Sequence, residues 1–152
     1  MAVDVATITQ QLNSLPPDRQ KEILTLLNEL SDSRGRIKAQ SEFLPFIRKM
    51  WPAFIEGSHH KIMADAFNRI ADGSLKRLII NMPPRHTKSE FASNFFPAWY
   101  LGRYPDRKII QTAHTAELAV GFGRKVRNLV GSSNYQKIFP DVSLSADSKA
   151  AG

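Results

Sequence analysis

The chain has 152 residues, with 21 lysines and arginines against 14 acidic residues and a net charge of +7. The absence of cysteine excludes disulfides and thiolate metal centres, and the basic balance suits a polyanionic partner such as nucleic acid. No basic, then apolar N-terminal leader is visible and no apolar run reaches membrane-spanning length, so a soluble, cytoplasmic protein with no membrane partner is expected.

Residues 1–36 read as a helical lead-in and linker, and residues 37–152 as the main domain. Pro16-Pro17 can open a helix with Asp18 in its first turn, and Ile23, Leu26, Leu27 and Leu30 follow at helical spacing. The polar run Ser31 to Arg36, with Gly35, predicts a break. Phe43 to Gly57 is aromatic and apolar with two prolines, and is expected as short helical turns over the core. The next helix should run from Ser58, as its N-cap, to Ala71. Ile62, Met63, Ala66, Phe67 and Ile70 would face inward and Asp72-Gly73 would end it. His59 and His60 stand in its first turn. Adjacent helical residues do not face one another, so they are not read as a metal pair.

The organising stretch is Leu75 to Glu90, LKRLIINMPPRHTKSE. Leu78, Ile79 and Ile80 form a short apolar run stopped by Pro83-Pro84, which predicts a buried strand and a tight loop. A helix is expected from Ser89 to Leu101, with Phe91, Phe95 and Trp99 on one face and a kink or break near Asn94 to Pro97. Strand, loop and Lys-Ser at a helix start is the layout of a Walker A P-loop. There, backbone amides and the helix dipole favour phosphate, Lys88 would reach the phosphates, and the Ser89 hydroxyl would ligate Mg²⁺. Met82 and Thr87 stand where the generic pattern has glycine. If that position needs a positive φ, Thr87 costs about 1–2 kcal/mol more than glycine; if glycine is there only so that backbone can approach phosphate, the cost is crowding of the ligand. A capped, solvated helix end is the alternative reading of Lys88-Ser89.

Leu101 to Arg107 reads as a turn, and Lys108 to Ala113 as a second strand. Strand, helix, strand at this length predicts a βαβ unit with parallel strands. Gln111 to Thr115 would then lie on the same edge as the loop, with Thr115 also readable as a plain N-cap. The helix from Ala116 to Val130 should turn Leu118, Phe122, Val126 and Leu129 inward. Arg124, Lys125 and Arg127 would lie mostly outward, either solvated or functional, against DNA phosphate or as a transition-state arginine.

MPPRHTKSE resembles the P-loop of phage terminase large subunits, the ATPases that package DNA into procapsids. Tyr135 and Ile138-Phe139-Pro140 resemble a stretch that follows in that family, and the similarity runs from about Phe43 to the end of the chain. Many members read PPRHGKSE, so Met82 agrees with the family pattern and Thr87 departs from it. The resemblance implies an α/β fold: a P-loop NTPase with a parallel sheet, of helicase-like type, truncated before Walker B and preceded by the helical lead-in. It implies ATP and Mg²⁺ as cofactors, with Pro84, Arg85, His86, Thr87, Lys88, Ser89 and Glu90 around the phosphates. Lys88 and Arg85 would be catalytic, Arg85 meeting charge on the transferring phosphoryl group; a salt bridge is the alternative for Arg85. Ser89 would hold the metal, and His60, with His59 second, would contact adenine. His114 and Thr115 become candidates for DNA contact.

Double-stranded DNA, the portal protein and a small terminase subunit are the implied partners, with a homo-oligomeric ring in the full-length protein and the host cytoplasm as location. ATP hydrolysis also needs an apolar strand ending in Asp, followed by a carboxylate that polarises water. Asp141 and Asp147 follow no such run. The chain is therefore expected to be the front part of the motor's ATPase domain, inactive alone, with Walker B and a nuclease domain beyond it. The competing readings are a non-catalytic DNA- or partner-binding module with a degenerate P-loop, and a small P-loop kinase or other helicase-like ATPase.

Overall fold

The computed structural model describes residues 15–145, and every regular element among them is helical. The chain forms two compact units, Met1–Gly35 and Arg36–Gly152.

Helix α1 spans Pro17–Ser41. Pro17 sits where a missing amide proton costs nothing, and the Gln20 amide bonds the Pro16 carbonyl at 3.0 Å. The break expected at Ser31 to Arg36 is absent: those residues continue the helix. Gly35 lowers helix propensity by about 1 kcal/mol relative to alanine, yet the helix runs through it. In the first unit Leu24, Leu26, Leu27 and Leu30 are all exposed.

In the second unit the end of α1 joins α2 (Phe43–Met50), α3 (Ser58–Ala71), a π-helical turn (Glu90–Phe95) running into α4 (Phe96–Arg103), α5 (Ala116–Val130) and α6 (Ser133–Ile138). Phe43 lies at the centre. It is fully buried, with edge-on rings of Phe67, Phe91 and Phe96 at centroid distances of 5.1, 5.5 and 6.0 Å and Trp99 at 5.4 Å. Its amide donates to the Asn68 side chain at 2.9 Å, tying α2 to α3. Trp99 donates its indole N–H to the Ala39 carbonyl at 3.0 Å, and Tyr135 its hydroxyl to the Ala98 carbonyl at 2.8 Å. Both buried aromatics thus satisfy their polar atoms. Tyr135, Ile138 and Phe139 pack in the core, and burial pushes the Tyr135 phenol well above its ordinary pKa.

The parallel-sheet α/β P-loop fold is not found. No strand or ladder occurs among the described residues, and Leu75 to Asn81 and Lys108 to Ala113 carry no regular secondary structure. A strand exists only through its partner's hydrogen bonds, and neither apolar run meets one. Ile79 and Ile110 stand 93% and 89% exposed, where a buried strand would have covered them. The expected βαβ unit falls with the sheet. The burial is done by aromatic side chains on helices instead.

Helix details follow local chemistry. Backbone is helical from Lys88 onward, and the turn Glu90–Phe95 is wound as a π-helix, with the Phe96 amide bonding the Phe91 carbonyl. Pro97 has no amide to offer the Ser93 carbonyl four residues back. Gln111 takes that carbonyl through its side-chain amide at 2.7 Å. In α3 the buried face is His60, Met63, Ala64, Phe67 and Ala71, whereas Ile62 is 72% exposed. Gly57, not Ser58, is the N-cap. Asp72 and Gly73 end the helix as expected, with Gly73 at φ +83. Thr115 caps α5, accepting from the Leu118 amide at 3.2 Å. Of α5 only Val126 and Val130 are buried, and Leu118 is exposed.

A β-carbon on Gly102 would stand 2.5–2.7 Å from ring carbons of Phe139, whereas one on Gly121 or Gly123 would meet nothing within 4 Å. Gly102→Ala should therefore destabilise the chain by roughly 1–3 kcal/mol through overpacking. Gly121→Ala and Gly123→Ala, inside α5, should each stabilise it by up to about 1 kcal/mol. Urea midpoints of the three variants check this ordering.

Candidate phosphate loop

The loop from Met82 to Lys88 lies between an irregular segment and the start of helical backbone. Arg85 and Thr87 both have positive φ, +66° and +57°. Each costs about 1–2 kcal/mol relative to glycine in the same conformation, so surrounding contacts must hold them. The strain foreseen for threonine at this position is therefore present. Two positive φ values within three residues turn the backbone sharply here. The first-turn amides of the helix that follows have no partner within it.

Lys88 folds back over the loop, its ammonium 3.2 Å from the Met82 carbonyl and 3.5 Å from that of Pro83. An ammonium has three donors, so one is left beyond those two carbonyls. His86 turns Nδ1 to the Pro84 carbonyl at 2.9 Å, and since a carbonyl only accepts, that nitrogen carries the proton. Arg85 is exposed and makes no ion pair among the described residues. Pro84 and Ser89 are exposed, Ser89 in the first helical turn.

Glu90 is used inside the protein. Its carboxylate accepts from the Asn94 amide at 2.6 Å and pairs with Lys125 at 3.3 Å, which joins α5 to the π-turn. Asn94 is buried, and its side-chain oxygen has no protein partner. His114 and Thr115 are exposed at the start of α5, the latter acting as the cap.

His60 is brought to the loop. It is 5% exposed, set between Phe54 and Phe91 at centroid distances of 4.7 and 5.0 Å. The Gly57 amide donates to its Nδ1 at 2.8 Å, and its Nε2 lies 2.7 Å from the Thr87 hydroxyl oxygen. That hydroxyl donates to the His86 carbonyl at 2.7 Å. Both ring nitrogens of His60 are thus engaged within the protein. His59 lies beside it, its ring tilted by 44° at 3.8 Å between centroids, and the His86 ring lies 5.8 Å from that of His59.

For a nucleotide the fit is partial. Lys88 and the exposed Arg85 are the cations of the loop that would meet phosphate, and the exposed Ser89 hydroxyl is the one oxygen it would bring to a magnesium ion. No group of three His, Cys, Asp or Glu side chains that could hold a metal ion occurs among the described residues, so Mg²⁺ would lean on phosphate oxygens and water.

Three contributing residues escape a reading of the sequence. Gly57 is the donor that orients His60; its only signal is a glycine just before a helix. Gln111 covers the carbonyl that Pro97 leaves open, and Lys125 pairs with Glu90 from a helix whose basic residues look uniformly solvated. No helix among the described residues is long and apolar enough to cross a membrane.

Burial holds the His60 imidazole below its ordinary value near 6.5, and the neighbouring His59 and His86 add to this while Glu56 opposes it. Above pH 6.5 the ring is neutral in both folded and unfolded chains, and its contribution to stability is complete. As pH falls below 6.5 the unfolded chain takes up the proton first, so stability drops until the pH passes the lowered folded value. Thermal unfolding between pH 8 and pH 5 should show this acid-side loss, and His60→Asn should flatten it.

Comparison with protein-family models, with curated proteins and with solved structures finds no match to this chain.

Proposed function

We propose that the loop from Met82 to Ser89 binds the phosphates of a nucleoside triphosphate, ATP in the first instance, and that the chain serves the nucleotide-driven packaging of double-stranded viral DNA, as its terminase-like MPPRHTKSE stretch implies. The carrying observation is the pair of left-handed, non-glycine residues, Arg85 and Thr87, beside a lysine that opens a helix and leans back over the loop. Such strain persists where the neighbouring structure enforces it, and ligand clamps are among the places where it gathers.

In this reading Lys88 binds the outer phosphates with the donor left beyond its two carbonyls. The first-turn amides and the positive end of the helix take further phosphate oxygens. The exposed guanidinium of Arg85 reaches the terminal phosphate, and Ser89 supplies a hydroxyl to Mg²⁺. The net charge of +7 supports a polyanionic partner for the rest of the surface. A catalytic carboxylate for water is not assigned, so binding rather than hydrolysis is the activity assigned to this chain.

Calorimetry with Mg-ATP tests the reading. The wild-type chain should bind, and Lys88→Ala, with its helical circular dichroism intact, should lose at least about tenfold in affinity, or about 1.4 kcal/mol. Equal binding by the two proteins, or none by a folded wild-type chain, would turn the assignment to a DNA- or partner-binding module. Such a module would bind duplex DNA with strong salt dependence and no nucleotide requirement.

A further inference from the structure

The His60–Thr87 contact joins residues 27 positions apart, and the positions of its protons follow from its partners. The Gly57 amide can only donate, so His60 Nδ1 must accept. The single proton of the neutral ring then sits on Nε2 and points at the Thr87 oxygen. The Thr87 hydroxyl has one proton, and the His86 carbonyl can only accept it. The opposite arrangement would set the Gly57 N–H against a protonated Nδ1, two donors face to face. The chain of bonds therefore runs one way: Gly57 amide to His60, His60 to Thr87, Thr87 to the His86 carbonyl.

We propose that His60 is a positioning residue for the phosphate loop: its Nε2–H holds the Thr87 hydroxyl, and this latch keeps a threonine in the left-handed conformation that the loop shape requires. The proposal rests on the phosphate-binding reading above. Three features support it. The threonine sits at a φ where glycine would be unstrained, so a restraint is needed. The ring that supplies the restraint cannot swing away, because Phe54 and Phe91 enclose it. Phe91 follows Lys88 by three residues, so the same helix start carries both the phosphate lysine and one wall of the latch.

The test is a double-mutant cycle of wild type, His60→Asn, Thr87→Gly and the double variant. Asparagine can still accept from the Gly57 amide but is too short to reach Thr87. Two readouts are taken on all four proteins: urea unfolding, and affinity for inorganic tripolyphosphate by calorimetry. His60→Asn should weaken tripolyphosphate binding by about tenfold when Thr87 is present. In the Thr87→Gly background the same substitution should change the affinity by less than about twofold, because glycine needs no latch. Equal losses in both backgrounds would make His60 a packing residue and overturn the proposal. A second pair covers the case in which His60→Asn fails to fold: Thr87→Val, which loses the hydroxyl, should reproduce the loss, and Thr87→Ser, which keeps it, should not. Absence of tripolyphosphate binding in all the proteins would sink the phosphate reading, whereas additive unfolding effects of the His60 and Thr87 substitutions would sink the latch.

Discussion

The aromatic cluster on Phe43 is the constraint from which the rest of the second unit follows. Phe43 offers its ring to Phe67 on α3, to Phe91 in the π-turn, and to Phe96 and Trp99 on α4. Phe46 extends the cluster to Tyr135 and Phe139 near the end of the described chain. Edge-to-face pairs add about 0.5–1.5 kcal/mol each beyond the area they bury, and they also fix orientation. The helices are thereby set in relation to one another without a sheet. The polar tips of Trp99 and Tyr135 then find backbone carbonyls, so the cluster buries no unpaired indole or phenol.

The same cluster positions the loop. Phe91 belongs to it and also forms a wall of the His60 site, so the core reaches the loop through a single helical turn. Pro97 shapes that turn from its far end. The π-helical winding and the Ser93 carbonyl taken by Gln111 are local adjustments to one missing amide. Glu90, the first residue of the turn, is steadied by Asn94 and Lys125. Loop conformation is thus set from two sides: by His60 and by a helix whose first turns are anchored.

What was legible in the sequence was mostly local. The Asp72-Gly73 stop, the Thr115 cap and the disturbance before Pro97 each depend on a residue and its near neighbours, and each is present. The strain at Thr87 could be foreseen because the pattern puts glycine there; that at Arg85 could not, since nothing in an arginine announces a positive φ. The sheet misled because Leu78-Ile79-Ile80 and Ile109-Ile110 have the composition of strands, and only a distant partner decides whether such a run pairs. The buried face of α3 lies one position on from the one its spacing predicts, for a related reason. Phe54, and Phe91 from a distant stretch of the sequence, make an enclosed place for the His60 ring and leave Ile62 outside.

The loop depends most on His60 being neutral, with its proton on Nε2 and that N–H donating a hydrogen bond to the Thr87 oxygen. Long-range ¹H–¹⁵N NMR on the ¹⁵N-histidine-labelled chain at neutral pH reads this directly, because the two ring nitrogens differ sharply in shift when only one is protonated. An unprotonated Nδ1 and a protonated Nε2 are expected for His60, with the Nε2 signal moving in Thr87→Val. A proton on Nδ1, or a rapidly averaging pair of tautomers indifferent to Thr87, would contradict this.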